Sequence, residues 1–311
     1  MGMSFWIAIW LDPNARWILS ACALLGLSSG VLGCFAYLRK QSLMGDALAH
    51  AALPGVCIAF MLTGTKSIIF FLIGATIAGI IATFGIGYIT RNSRIKQDTA
   101  LGITLSVFFG LGIVLLTQIQ RHPGGNQSGL DKFLFGQAAS LVQSDVWVMI
   151  GMSLFLVGAC ALFFKEFKLV SFDPGFARGL GFPVAALEQL LMFLIVIAVV
   201  VGIQAVGVVL MAALLITPAV AARYWTERLG VMVVLAGLIG AFSGAAGTII
   251  SALGDNLPTG PLCVLSATAV FLFSIVFAPH RGLISKYRMR ASARRTLQRE
   301  AKMAVTEGGR I

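Results

Sequence analysis

Residues 189–222 read QLLMFLIVIAVVVGIQAVGVVLMAALLITPAVAA, a run of 34 residues without a charged side chain. About 20 apolar residues are enough for a helix to cross the roughly 30 Å of hydrocarbon in a bilayer. The run is therefore too long for one ordinary span. Gly202 and Gln204 lie near its middle, and we divide it there. We predict that this stretch crosses a membrane twice.

Similar uncharged stretches follow one another along the chain, which is 58% hydrophobic and only 11% charged. Soluble domains carry about 25% charged residues. Because hydrocarbon offers no water to the backbone, each span must be helical. The further spans are 17–38, 46–62, 67–90, 99–118, 146–164, 230–253 and 257–278. The sequence predicts an all-α polytopic membrane protein with about nine transmembrane helices, eight being the alternative.

The basic residues favour one side of this arrangement. Nine crossings place successive loops on alternate sides, and one set of connections, with the C-terminal tail, carries 19 of the 23 Lys and Arg residues. The other set carries Arg16, Lys66, Arg121 and Lys132. Since basic loops stay in the cytoplasm, we predict an N-terminus outside and a cytoplasmic C-terminus. Arg178 and Arg223 lie on one side only if the long run crosses twice.

Three segments follow from this topology: an extracytoplasmic N-terminal segment (1–16), a transmembrane domain (17–279) and a basic cytoplasmic tail (280–311). The first residues lack a basic n-region, which predicts an uncleaved N-terminus. The tail carries nine basic residues and two acidic ones. Such a tail attracts anionic membrane lipid, and without a recognition motif it does not indicate nucleic-acid binding. The five cysteines have no CxxC spacing, so neither disulfides nor a thiolate zinc site is indicated.

Asp46 and His50 are the best candidate functional residues, because ionisable side chains inside a membrane are costly. Their spacing of four residues places them on one helix face. A carboxylate with an imidazole suits Mn²⁺, Fe²⁺ or Zn²⁺. Two such chains facing each other across a pore would supply four ligands. The alternative is that Asp46 caps the helix N-terminus and His50 is its packed partner.

Prolines and apolar residues near these side chains are candidates for a gate. Pro54 leaves the carbonyl of His50 without its usual helical partner, which predicts a kink or a loosened turn. Cys57 and Met61 continue the same approximate stripe and are candidates for an apolar plug, although we prefer ordinary packing. Thr217 and Pro218 predict a structural kink in another span, since a proline frees a carbonyl that threonine can bond.

The loop from Phe172 to Val184 predicts a short helix. Asp173 before a proline is typical of an N-cap, and Gly181 before a second proline marks the end of the helix. The helix would have about two turns and expose Phe176, Ala177 and Leu180. An apolar face in such a loop needs a protein to cover it.

The sequence contains neither the P-loop motif GxxxxGK[ST] nor the metalloprotease motif HExxH. The chain is therefore predicted not to be an enzyme. Its energy must come from a partner or from an ion gradient.

Three segments together resemble the permease subunits of ATP-binding-cassette importers for manganese, zinc and iron. They are LMGDALAHAALPG (43–55), the loop 173–183 and AVGVVLMAALLITPA (205–219), and the resemblance covers roughly residues 17–279. It implies a dimer of identical or paralogous permeases, a cytoplasmic ATPase dimer and an extracytoplasmic metal-binding protein. By position, Asp46 and His50 match the family's intramembrane metal ligands. Asp173, Phe176, Ala177 and Gly181 fall in its coupling helix, which docks on the ATPase.

The resemblance predicts a multi-pass subunit of the cell inner membrane, in an ATP-driven importer of divalent metal cations. Manganese comes first, then zinc or iron, and no cofactor is permanently bound. The alternative is a proton-coupled secondary cation transporter in which Asp46 and His50 relay protons. A neighbouring reading frame with a P-loop would favour the importer.

Overall fold

The computed structural model describes residues 13–65, 67–121, 143–253, 257–279 and 282–285. Within these ranges the chain is helical and contains no strand. The predicted N-terminal segment up to residue 12 lies outside the described residues. So does the basic tail, except for 282–285. Lys66 and Lys132, which entered the charge argument, also lie outside them.

The described residues form eleven helices of six residues or more. They are α1 (Pro13–Leu38), α2 (Met44–Thr63), α3 (Ile68–Asn92), α4 (Gln97–Arg121), α5 (Gln143–Leu162), α6 (Phe164–Phe172), α7 (Pro174–Gly179), α8 (Val184–Val206), α9 (Val208–Trp225), α10 (Leu229–Leu253) and α11 (Thr259–Phe277).

Each of the nine predicted spans corresponds to a helix of its own, although the ends of several spans fall outside their helix. Eight of these helices are long and apolar enough to cross a membrane, and α9, with 18 residues, is a shorter apolar helix. The predicted class, an all-α polytopic membrane protein, is confirmed. The side on which each terminus lies stays a prediction.

The long apolar run is divided at Gly207. This residue has φ 92° and ψ 161°, a conformation that glycine alone adopts without strain. The predicted division into two helices is confirmed, but its predicted position was wrong, since α8 continues through Gly202 and Gln204 to Val206. Gly202 serves close packing instead of a turn, because a Cβ atom there would overlap the Met211 sulfur.

The bundle is built around α1, α2 and α8, which are the most buried of its long helices. The other long helices surround them and turn apolar side chains outward, as lipid contact requires. Ile77, Ile81 and Phe84 on α3 are exposed, as are Val234 and Leu238 on α10.

A seam of small residues joins α1 to α10. A Cβ atom on Gly26 would overlap the carbonyl oxygen of Gly240, and one on Gly30 would overlap that of Ala236. A Cβ atom on Gly244 would likewise overlap the Cys22 carbonyl oxygen. Glycines at this spacing let two helix backbones approach closely in a membrane. We call these contacts the glycine seam.

Candidate functional site

Asp46 and His50 lie in the first two turns of α2. The helix begins at Met44, so Asp46 is its third residue and His50 follows one turn later. The Nε2 atom of His50 lies 3.5 Å from the Oδ1 atom of Asp46. The predicted shared helix face is therefore present, with the carboxylate and the imidazole side by side.

Asp46 does not cap its helix. The N-cap position belongs to Leu43, and no side chain makes a capping hydrogen bond there. The alternative prediction of a capping Asp46 is wrong, because the helix begins two residues before it. The Asp46 side chain is 38% exposed, whereas that of His50 is 14% exposed. The carboxylate is therefore partly exposed at the surface of the chain, and the imidazole is mostly buried.

The imidazole of His50 is held by packing. Its ring meets the ring of Phe109 on α4 nearly edge-on, with 4.8 Å between the ring centroids. Its Nδ1 atom is buried and has no hydrogen-bond partner. Buried polar atoms are normally paired, so Nδ1 is an exception in the packed interior, and Nε2 is the ring nitrogen that faces Asp46.

Within the described ranges, no group of three or more His, Cys, Asp and Glu residues is arranged to hold a metal ion. Among the residues that the structure describes, Asp46 and His50 are thus a pair without a third such side chain. A cation held by them alone would keep most of its coordination positions open.

The gate candidates on α2 do not share one surface. Pro54 is buried within the helix, which continues without interruption to Thr63. Cys57 is fully buried, and its thiol approaches the carbonyl oxygen of Gly112 on α4 at 3.9 Å. Met61 is 46% exposed. Cys57 therefore packs α2 against α4, and Met61 alone of the three faces outward.

The loop helix α7 begins as the sequence predicts. The Oδ1 atom of Asp173 accepts a hydrogen bond of 2.8 Å from the backbone N–H of Phe176, and Pro174 occupies the first turn. Gly181 follows the helix with a φ of 85°, in the left-handed region that favours glycine. The predicted cap and stop are confirmed.

One predicted feature of α7 is wrong. Phe176 and Leu180 are exposed by 57% and 56%, but Ala177 is completely buried. Its side chain lies on the face of α7 that packs toward α6 and α8. The backbone carbonyl of Ala177 also accepts a hydrogen bond from the N–H of Phe182. The large apolar side chains that α7 and its C-cap expose are therefore Phe176 and Leu180, and we call these two residues the α7 face.

The helix α9 passes through Thr217 and Pro218 and ends at Trp225. The helix is not interrupted at this proline, and the kink stays a prediction.

Two contacts near the site join residues that the sequence analysis did not connect. Arg39, just after α1, forms an ion pair with Glu188 on α8. The contact between Phe109 and His50 joins α4 to α2. In the sequence, Arg39 is notable only for its charge. No local pattern indicates that it pairs with Glu188 or that Phe109 contacts His50.

Comparison with known proteins adds independent information. The model of the ABC 3 transport family matches residues 12–278. The chain is 56% identical over 304 residues to the manganese transport system membrane protein MntC of Bacillus subtilis, covering 96% of this chain and 70% of that protein. It is 49% identical over 260 residues to the zinc transport system membrane protein TroC of Treponema pallidum, covering 84% of this chain and 87% of that one.

Among solved structures, PsaBC from Streptococcus pneumoniae in complex with Fab has a TM-score of 0.80 and 35% identity to this chain. The match covers 90% of this chain and 98% of that one. The family model covers all eleven described helices. Among them are α2, α7 and α9, whose sequences carried the resemblance. This chain belongs to the ABC 3 transport family.

Proposed function

We propose that this chain is the membrane-spanning permease subunit of an ATP-driven importer of divalent metal cations, with manganese as its first substrate and zinc next. The observation that carries the proposal is the pair formed by Asp46 and His50. The names of two relatives, manganese and zinc transport system membrane proteins, support the substrate class.

The geometry of the pair suits one cation. Ligand atoms about 2.1 Å from a metal, at a tetrahedral angle, lie about 3.4 Å apart. The Nε2 atom of His50 and the Oδ1 atom of Asp46 are 3.5 Å apart. This separation is longer than a typical N–H···O hydrogen bond of about 2.9 Å. The two atoms are therefore spaced to bind the same ion, which is the transported substrate.

A second permease subunit would complete the ligand set. One chain offers the carboxylate and the imidazole, and the 38% exposure of Asp46 leaves the pair accessible from outside this chain. Two such pairs facing each other across a pore provide four ligands. Four ligands are enough to replace the hydration water of a divalent cation, and separation of the two chains releases it.

The α7 face is proposed as the docking surface for the ATPase. Phe176 and Leu180 are more than half exposed on a six-residue helix between two longer ones. Asp173 fixes the start of this helix and Gly181 its end, so the face is rigidly presented. ATP hydrolysis is assigned to that partner, since this sequence has no P-loop.

The remaining assignments follow from the predicted topology. The basic side of the bundle, with α7, is proposed to face the cytoplasm, and the metal-binding protein would deliver its ion to the opposite side. Met61, at the other end of α2 from Asp46, is exposed and remains the gate candidate nearest that side. Thr217 and Pro218 are proposed to bend α9.

The experiment that tests this function measures transport in vesicles that contain the permease and its ATPase. Manganese, zinc and iron are offered separately, with and without ATP. We expect ATP-dependent accumulation, greatest for manganese. Accumulation driven by a proton gradient without the ATPase would contradict the proposal and favour the proton-coupled alternative.

A further inference from the structure

A cavity of about 490 Å³, lined by charged, polar and apolar residues, opens at one end of the bundle, beside the start of α2 and the start of α7. It lies between the loop after α1, the last turns of α3 and the first turns of α8. In a membrane crossed by these helices, their ends would lie near the level of the headgroups. The cavity is separate from the pair formed by Asp46 and His50, neither of which lines it.

The charges of the cavity favour an anion. Arg39, Lys40 and Arg91 line it, and Glu188 is the acidic residue among its lining side chains. Glu188 is paired with the Nη2 atom of Arg39, but the Nη1 atom of the same guanidinium is buried and has no hydrogen-bond partner. The lining therefore carries a net positive charge and offers an unused donor.

Uncharged polar groups point to the same conclusion. Gln41 is only 8% exposed, and its Oε1 atom has no hydrogen-bond partner. The hydroxyl of Ser171, on the opposite wall, is also buried and unpaired. Buried polar groups are normally satisfied by a hydrogen-bond partner. A ligand with both phosphate oxygens and hydroxyl or amine donors would satisfy them together.

An apolar groove of about 300 Å³ continues from this cavity. Thr83 and Gln189 line both spaces. Farther along, the groove runs between α3 and α8 and is lined by Ile80, Phe84, Leu190, Phe193 and Val196. Arg91 and Ile80 are eleven residues apart on α3, which is about 16 Å along a helix axis. The groove therefore extends toward the middle of the membrane.

We propose that the cavity and the groove together form a binding site for a phospholipid with an anionic headgroup. The headgroup phosphate lies near Arg39, Lys40 and Arg91, and an acyl chain fills the groove. A free phosphate ion would leave the groove unused, and a soluble peptide would not reach apolar side chains at membrane depth. Because Met44 and Pro174 also line the cavity, the headgroup touches the start of α2 and of α7.

Native mass spectrometry of the full chain in detergent tests this site. The probes are dioleoyl phosphatidylglycerol, dioleoyl phosphatidylcholine and inorganic phosphate. We expect retention of phosphatidylglycerol, with phosphatidylcholine bound at least about tenfold more weakly, as expected for attraction of about 1 kcal/mol per basic residue. Phosphate should not displace the bound lipid. Displacement by phosphate, or equal retention of the two lipids, would overturn the proposal.

Two double variants test whether the lipid binds at the cavity. Lys40→Asn with Arg91→Asn removes two charges from the cavity, and Arg94→Asn with Lys96→Asn removes two exposed charges outside its lining. Asparagine tolerates the positive φ of 58° at Lys40. Only the first pair should lower phosphatidylglycerol retention by about tenfold. Equal losses of phosphatidylglycerol retention in the two double variants would show diffuse attraction to a basic surface and would overturn the proposed site.

Two single substitutions on α3 test whether an acyl chain occupies the groove. Thr83→Phe fills it, whereas Ile81→Phe changes a residue of the same helix that is 57% exposed and does not line it. We expect phosphatidylglycerol retention to fall several-fold in the first variant and to stay at the wild-type value in the second. Unchanged retention in Thr83→Phe would overturn the assignment of the groove to an acyl chain.

Discussion

The imidazole of His50 lies edge-on against the ring of Phe109, its Nε2 atom lies 3.5 Å from the Oδ1 atom of Asp46, and its Nδ1 atom is buried without a hydrogen-bond partner. A nitrogen held in place by an aromatic ring needs no carboxylate to orient it. Asp46 in turn makes no capping hydrogen bond. Neither polar group is required by the fold, so their loss should appear in transport and not in assembly.

Asp46→Asn and His50→Gln should each abolish most metal accumulation. Both changes keep a polar side chain of similar size, so we expect both variants to insert into the membrane and to assemble with their ATPase. Accumulated manganese is measured at matched membrane levels. Asp98→Asn is the control, because Asp98 is an exposed carboxylate in the first turn of α4. Wild-type accumulation in both site variants would return the pair to a structural role.

Phe176→Arg should uncouple transport and leave the permease folded. Phe176 is 57% exposed, so a charge there is harmless in water but clashes in an apolar ATPase surface. The measurements are metal uptake and co-purification of the ATPase. Asn92→Arg, at the exposed end of α3, introduces the same charge outside α7 and should have no effect. Normal co-purification and uptake by Phe176→Arg would count against docking on α7.

Ala177→Arg should destabilise the fold of the permease, in contrast to the uncoupling expected for Phe176→Arg. Because Ala177 is completely buried, the guanidinium would enter packed protein without a partner, at a cost of about 3 kcal/mol or more. We expect a lower yield of folded permease and a lower unfolding temperature in detergent. A stable variant with intact uptake would show that the Ala177 side of α7 is not packed against the rest of the protein.

Gly240→Ala should destabilise the bundle through the glycine seam. The added Cβ would overlap the carbonyl oxygen of Gly26, and overpacking against backbone costs about 1–3 kcal/mol or more. The unfolding temperature in detergent is the readout. Gly85→Ala is the matched control, since a Cβ on Gly85 meets no atom within 4 Å. Equal unfolding temperatures for the two variants would contradict the close approach of α1 and α10.

Gly207→Ala should strain the junction between α8 and α9. The φ of 92° with ψ of 161° belongs to a region essentially restricted to glycine, and forcing another residue into it costs about 1–3 kcal/mol. Gly230→Ala, at a helical position where a Cβ meets nothing within 4 Å, is the control. The unfolding temperature in detergent is compared for the two variants. A wild-type unfolding temperature for Gly207→Ala would mean that the backbone at the junction relaxes without strain.

The spans were predictable because the signal for a membrane helix is local. Length and apolar composition are both read within one stretch, as in residues 189–222, and the cap at Asp173 depends on neighbours only three residues away. The position of the break was not predictable in the same way. Gly202 and Gly207 lie in the same apolar run, yet Gly202 stays within α8 and packs against Met211, whereas Gly207 takes a positive φ and separates the two helices.

The parts of the site that escaped prediction depend on contacts between distant segments. A six-residue helix has two faces, and the sequence of α7 does not reveal that α6 and α8 cover Ala177 while Phe176 stays exposed. Phe109 and His50 are neighbours only because α2 and α4 pack together. The spacing of Asp46 and His50 was sufficient to place them on one face, but not to show which of their atoms lack partners.

The glycine seam also limits which helices can move during transport. Where the backbones of α1 and α10 touch at Gly26 and Gly240, no side chain lies between them that could change rotamer and allow sliding. Helix sliding in shear motions relies on such small rearrangements of interdigitated side chains. We therefore expect α1 and α10 to behave as one rigid body. Alternating exposure of Asp46 and His50 to the two sides of the membrane would then come from α2 and α4 moving relative to this fixed pair.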